Sequence, residues 1–293
     1  METIAGISYS KPAVTLLQET GIGTAEYAAR TCYDSFGASE HAFLQDMDVL
    51  NDPPAVTADN INSLNNITHS DLLDKLAWTH FHHSILEHAN LTFLIKGTSR
   101  GVLQEHARHR IQAVSVRSTR YTMSSVINAF VASVFNTPKV FNSTEWFITK
   151  MLELDILVTT DTEYNRIEYR TIFSKLLHQM NTIGTEEFKQ LAIAKSSLPY
   201  IESLDRLALY EALQTGKAKR NVGDSFKHIV SDTWKVDLVV TMNLRALKNY
   251  LDLRSSNSAY FQIHWLADEI AKVTPRKYLD LILKEDKINK VLN

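Results

Sequence analysis

Between Lys96 and Arg120 the chain sets six basic residues (Lys96, Arg100, Arg108, Arg110, Arg117 and Arg120) against a single acid, Glu105. A guanidinium grips a phosphate or carboxylate through two parallel charge-assisted hydrogen bonds, and a nearby hydroxyl such as that of Ser118 adds a donor. In Arg108-His109-Arg110, adjacent helical residues point about 100° apart, so three cationic side chains fan out where a helix ends. That spread suits the walls of a pocket better than a flat face laid along a duplex. Ser118 and Arg120 are two apart, which reads as an extended segment showing both to one side before Tyr121. These residues favour a small phosphorylated ligand. A solvated basic face, or phosphate-backbone contact to nucleic acid, is the competing reading.

The elements that must carry these residues are legible in outline. Asn90 to Lys96 alternates Leu91, Phe93 and Ile95 with Asn90, Thr92, Leu94 and Lys96, a strand pattern. Ser99 then stands as an N-cap for a helix running toward Arg110. Residues 12–34 read as a helix broken by the Gly21-Ile22-Gly23 turn, and 35–70, with Asn51-Asp52-Pro53-Pro54, as an irregular excursion. Val126 to Val134 reads as short β-rich stretches before a break at Pro138. Helical patterns follow over roughly 144–155, 162–182 and 185–195, the last ending before Pro199. Residues 200–235 form a second polar stretch, containing Lys217, Lys219 and Arg220. Asp237 to Leu253 and Ala259 to Val273 read as two strong helices, the first with Leu238, Met242, Arg245 and Asn249 on one stripe. Helices dominate over strands, so one mixed α/β (α+β) domain over 1–293 is expected.

Composition narrows the field further. The 293 residues are 44% hydrophobic and 22% charged, an ordinary globular balance with ample length for a core. A formal net charge of −2 implies no global attraction to nucleic acid or anionic lipid. Cys32 is the sole cysteine, which excludes an internal disulfide framework and fits a reducing compartment. No window approaches the ~18 apolar residues of a membrane span, and Met1 to Ser10 lacks the pattern of a signal peptide. A cytoplasmic location is the expectation, with neither nucleic acid nor membrane as partner.

Arg108-His109-Arg110, seven further residues and then Ser118 reproduce the Arg-His-Arg-x7-Ser signature, and the chain resembles the flavin-dependent thymidylate synthases. Arg120-Tyr121 continues the signature. Ala29-Arg30-Thr31-Cys32-Tyr33, Glu87-His88, Thr92-Phe93 and the block from Asn243-Leu244-Arg245 through Asn249 to Leu253-Arg254 occur in the family's order. About two thirds of the chain is covered; 35–70 and 200–235 are unmatched and read as insertions. The resemblance implies a twisted β-sheet flanked by helices in a homotetramer with shared sites. It implies reductive methylation of dUMP to dTMP, with FAD as hydride carrier, NADPH as reductant and methylenetetrahydrofolate as carbon donor. His82, Ser84, Arg108, His109, Arg110, Asn243, Arg245 and Asn249 match positions that contact FAD. Gln104, Glu105, Arg108, Ser118, Arg120, Lys195 and Arg254 match the dUMP site, and Arg254 the arginine that activates the uracil ring. Lys195 stands where an arginine is common; lysine keeps the charge and loses the fork. Ala113-Val114-Ser115-Val116 replaces a Ser-x-Asn-Glu run, so a usual carboxylate is missing and Ser115 or a backbone group must serve.

Other features have plainer explanations. His80, His82, His83 and His88 with Glu87 invite a metal, but an extended stretch points His83 away from His80 and His82, so no metal site is expected. Ser118 has no base arranged beside it and reads as a ligand contact. Cys32 lies in an apolar, helix-like stretch and reads as a buried inert thiol. Gly21-Ile22-Gly23 lacks a third glycine, and Gly97 to Gly101 lacks the Lys-Ser/Thr ending of a phosphate loop. FAD must then be held by side chains from several segments. The alternatives are a nucleic-acid-binding protein using the basic strip and a family member that binds FAD without synthase activity.

Overall fold

The computed structural model describes residues 1–46, 58–136, 142–188 and 226–292. Along the chain run β1 (Glu2–Ile4), β2 (Ile7–Tyr9), β3 (Ala13–Glu19), α1 (Gly23–Tyr33), α2 (Ala42–Gln45), α3 (Ala58–Asn65), α4 (Asp71–Trp78), β4 (Asn90–Ser99) and α5 (Arg100–His106). They are followed by β5 (Ala113–Val116), α6 (Thr119–Val131), α7 (Ser143–Leu154), α8 (Thr162–Ile183), β6 (Lys235–Asn243), α9 (Leu244–Arg254), α10 (Phe261–Val273), α11 (Arg276–Ile282) and α12 (Glu285–Leu292). The class is the expected mix of helices and a sheet. Residues 47–57, the end of the 185–195 pattern and Lys195, and most of the polar 200–235 stretch lie outside the described residues. No described helix is long and apolar enough to cross a membrane.

Two compact units emerge, each threaded from three segments. One comprises Pro12–Thr98, Val102–Val116 and Asp237–Asn293. Its sheet runs β3-β4-β6-β5, with β3–β4 and β5–β6 antiparallel. Leu91, Phe93 and Ile95 of β4 and Leu238, Val240 and Met242 of β6 are buried on alternate positions. Leu244, Leu247 and Leu251 of α9 and Ile263, Leu266 and Ile270 of α10 belong to the same apolar cluster. This periodicity of two on the strands and three to four on the helices is what buries one face of each.

Several expectations fail here for physical reasons. Residues 13–19 are a strand rather than a helix: β-branched Val14 and Thr15 pair with Ile95 and Leu94 of β4. Residues 237–243 are also a strand, because Val236, Leu238, Val240 and Met242 alternate and bury in register. The Leu238–Met242 spacing imitates a helical stripe. The 35–70 excursion is less irregular than expected, holding a 3-10 turn at Phe36–Ala38 besides α2 and α3. The Gly21-Ile22-Gly23 turn stands. Gly21 has φ +76°, and a Cβ on Gly23 would lie 2.1 Å from the Leu64 carbonyl oxygen. Only glycine lets the start of α1 approach that backbone.

The second unit comprises Met1–Lys11, Ser99–Gly101 and Arg117–Val236. Here Phe130 of α6, Phe147 of α7 and Phe173 of α8 meet in one aromatic cluster, with ring centroids 5.2–6.3 Å apart. The β-rich reading of Val126 to Val134 is wrong. Met123, Val126, Ile127 and Phe130 fall at helical spacing and are all buried. Ser118 and Arg120 are likewise not on an extended segment. Ser118 is the N-cap of α6, its Oγ accepting the Arg120 backbone N–H at 3.3 Å.

Candidate functional site

Two short stretches of the first unit build a basic concavity. Helix α5 ends at His106, short of the Arg110 the sequence pattern reached. The chain then turns tightly, the His109 N–H donating to the His106 carbonyl at 3.1 Å and the Gln112 side chain to the same oxygen at 3.0 Å. Arg108, His109 and Arg110 therefore leave from a turn rather than from a helix, and still diverge. Opposite them stands α9. Asn243 caps its N-terminus, the side-chain oxygen accepting the Ala246 N–H at 2.8 Å, and Arg254 lies in its last turn. A cation there is favoured by the helix dipole.

Between the two lies a cavity of about 840 Å³ bordered by Arg108, His109, Arg110, Asn243, Arg245, Asn249 and Arg254, together with Glu87, Ile111, Leu253 and Ser258. Its volume lies within the range of small-molecule sites. Arg245 and Asn249, one helical turn apart, both face it. Arg245 pairs with Glu87 at 2.5 Å. Arg108 and Arg110 are exposed, Arg108 with only a 4.0 Å approach to Glu105. Ile111 and Leu253 leave 67% and 54% of their surface open, so apolar patches interrupt the cationic walls.

Arg254 is the most tightly held of the arginines on the cavity wall. Its Nε donates to His109 Nε2 at 2.9 Å, Nη1 donates to Glu105 Oε2 at 2.9 Å and Nη2 donates to the Glu105 carbonyl at 3.3 Å. A guanidinium only donates, so His109 must accept at Nε2 and carry its proton on Nδ1. Burial, reinforced by the Arg254 charge, lowers the His109 pKa against the opposing pull of Glu105. Beneath it the Tyr250 ring lies 4.7 Å from His109 and 5.3 Å from His106, centroid to centroid. His106 is buried, and burial, then His109 and Arg254, push its pKa down to about 4. Tyr250, itself buried, has its phenol pushed above the ordinary range by desolvation.

Seven of the residues picked from the sequence thus border one cavity, and Glu105 reaches it through Arg254. His82, Ser84 and Gln104 belong to the same unit but not to the cavity wall; all three are exposed. His82 instead receives the Tyr33 hydroxyl at its Nδ1, 2.6 Å away. Ser118 and Arg120 belong to the other unit, and Lys195 lies outside the described residues. Ser115, offered as a substitute contact, is exposed on edge strand β5. Cys32 is exposed on α1, not buried; the apolar stretch around it faces inward through Ala25 and Ala29. Sequence reasoning did not single out His106, Tyr250 or Ile111. Tyr250 sits four residues before Arg254 on α9, and that spacing was the available signal.

The sequence profile of the family described as thymidylate synthase complementing protein matches residues 15–277. The chain belongs to that family. Among similar proteins, the flavin-dependent thymidylate synthase of Wolinella succinogenes is 28% identical over 265 residues, covering 90% of this chain and 94% of that one. The protein of the same name from Helicobacter pylori is 27% identical over 260 residues, covering 88% and 91%. A solved thymidylate synthase X of Helicobacter pylori, crystallised with FAD and dUMP, superposes with a TM-score of 0.53 at 22% identity, covering 94% of this chain and 99% of that one. A second such complex gives 0.51 at 24%. At these identities the structural likeness shows a shared fold. The family signature, Arg108-His109-Arg110, lies on the cavity wall.

Proposed function

We propose that this member of the thymidylate synthase complementing protein family is a flavin-dependent thymidylate synthase, an enzyme that methylates dUMP to dTMP. The observation that carries the reading is the convergence of four arginines and two asparagines, from 108–110 and from 243–254, on a single cavity. Those residues fit FAD: guanidinium forks match its diphosphate, and exposed Ile111 and Leu253 offer apolar surface for a flat ring. Arg108, His109, Arg110, Asn243, Arg245 and Asn249 are assigned to FAD, with His82 and Ser84 as further contacts. Gln104, Glu105, Arg108, Ser118, Arg120, Lys195 and Arg254 are assigned to dUMP. When bound, FAD reduced by NADPH supplies hydride, and methylenetetrahydrofolate supplies the carbon.

The chain's own contribution is positioning and charge. Arg254, fixed on three sides by Glu105 and His109, presents a cation of set orientation that stabilises negative charge growing on the pyrimidine. His109, its pKa lowered, adds no competing positive charge beside that guanidinium. Ser118, Arg120 and Lys195 orient the nucleotide by direct contact, and no covalent bond to the protein is needed. The enzyme works as a homotetramer with sites shared between subunits, in the cytoplasm.

The test is reoxidation of the reduced, flavin-loaded protein. Oxidation that requires both dUMP and methylenetetrahydrofolate and yields dTMP supports the assignment. Flavin binding with no dUMP-dependent turnover leaves a family member without synthase activity. A colourless protein that does not take up FAD contradicts the reading.

A further inference from the structure

Outside the residues that border the cavity, the N-terminal part of the same unit holds a buried carboxylate whose two oxygens are treated very differently. Glu26, on the inner face of α1, is fully buried. Its Oε1 accepts three hydrogen bonds, from Arg30 Nε at 3.2 Å, Arg30 Nη2 at 3.0 Å and Ser39 Oγ at 3.1 Å. Its Oε2 has no solvent contact and accepts no hydrogen bond. A bare buried carboxylate oxygen is costly, because it has lost water and gained no donor in return.

The groups facing that oxygen are metal ligands by type. His41 Nε2 lies 3.5 Å from Glu26 Oε2 and 3.5 Å from Glu40 Oε1. Both separations exceed the ordinary N–H···O range of about 2.7–3.2 Å, so neither is a good hydrogen bond. The one ring proton at that nitrogen is directed at the His69 carbonyl, 3.1 Å away. A spacing of 3.5 Å has another meaning. Four donors about 2.0–2.2 Å from a tetrahedral ion stand about 3.3–3.6 Å from one another. Glu26, Glu40 and His41 each offer one ligand atom within 4.8 Å of the others.

The geometry points to a divalent transition-metal site, of the Zn²⁺ type, formed by Glu26 Oε2, Glu40 and His41 Nε2, with the His69 carbonyl or water completing it. One imidazole and two carboxylates form a donor set suited to such an ion. Arg30 cancels one of the two carboxylate charges, and a divalent ion balances the remainder with charge to spare. Binding moves the His41 proton from Nε2 to Nδ1 and frees the His69 carbonyl to turn toward the ion. The supporting shell is already built. Ser39 Oγ accepts the His41 backbone N–H at 3.2 Å while it donates to Glu26, and Glu40 Oε1 accepts the Asp71 backbone N–H at 3.1 Å.

Such an ion clips the 39–41 turn and the approach to α4 onto α1. Helix α1 in turn packs against the 3-10 segment His83–His88, and its Tyr33 meets His82. The role is structural, and it does not depend on the proposed flavin chemistry.

The test is calorimetric titration of the full-length, tag-free, chelator-treated protein with zinc chloride, followed by thermal unfolding with and without the metal. One Zn²⁺ per chain is expected, with a rise in melting temperature. His41→Ala and Glu40→Gln, both at partly exposed positions that leave the Glu26–Arg30 pair intact, should each weaken binding more than ~100-fold, beyond the ~10–100-fold typical of losing an outer-shell partner. Glu26→Gln should do the same if it folds; the other two variants decide the matter if it does not. No stoichiometric uptake by the unaltered chain, or uptake unchanged in His41→Ala and Glu40→Gln, overturns the proposal.

Discussion

Arg254 spends three of its donors on Glu105 and His109, so its position is set by protein groups before any nucleotide arrives. Truncating it removes the cation and leaves the cavity's other arginines in place. Arg254→Ala is expected to fold and bind FAD while kcat falls about 10²–10³-fold, the scale of losing one preorganised charge-stabilising donor. Steady-state kinetics with flavin absorbance on the same sample checks this, and unimpaired turnover removes Arg254 from its role. His106 offers a separate test. Its folded pKa of about 4 lies below its ordinary value of 6.5, so the unfolded chain binds the proton more readily. Its neutral form contributes no penalty above pH 6.5, and stability is lost as pH falls from 6.5 toward 4. At pH 5 this amounts to about 2 kcal/mol relative to pH 7.5. Urea denaturation at both pH values should show that loss, and His106→Gln should lack this share of it. Of this site Arg108 and Arg110 were legible from local charge and spacing, whereas Asn243, Arg245, Asn249 and Arg254 were marked only by the family resemblance. The Arg254–Glu105 and Arg245–Glu87 pairings were legible from neither, since they join residues 149 and 158 positions apart.

At the level of elements, α10 was readable because Ile263, Leu266, Ala267 and Ile270 fall at 3.6-residue spacing and are buried together. Strands β3 and β6 were misread, since a run such as Leu238, Val239, Val240 and Met242 satisfies both periods until its neighbour is known. What decides them is pairing with β4 and β5, which no local window contains. Helix α6 was misread the other way, its β-branched Val126, Ile127 and Val131 outweighing a sound helical stripe. The turn into α1 was readable from its two glycines, and it makes the clearest element-scale prediction. Gly23→Ala should destabilise the protein by about 1–3 kcal/mol or more through overlap with the Leu64 carbonyl. Gly37→Ala, with nothing within 4 Å of its Cβ, should change stability by under about 0.5 kcal/mol. Equal effects of the two in thermal unfolding would refute the packing assigned to that turn.

For the whole molecule, the family was legible because its signature is contiguous, whereas the division into two units was not: each is assembled from three segments far apart in the sequence. Assembly adds a prediction of its own. Light scattering coupled to gel filtration should give the mass of four chains, and a stable monomer with full activity would rule out shared sites. The most direct measurement of the central claim is tritium release from [5-³H]dUMP by the flavin-loaded protein. Release should require both methylenetetrahydrofolate and NADPH together with intact Arg254. A yellow, folded protein that releases no tritium under those conditions, or releases it equally with Arg254→Ala, would contradict the account.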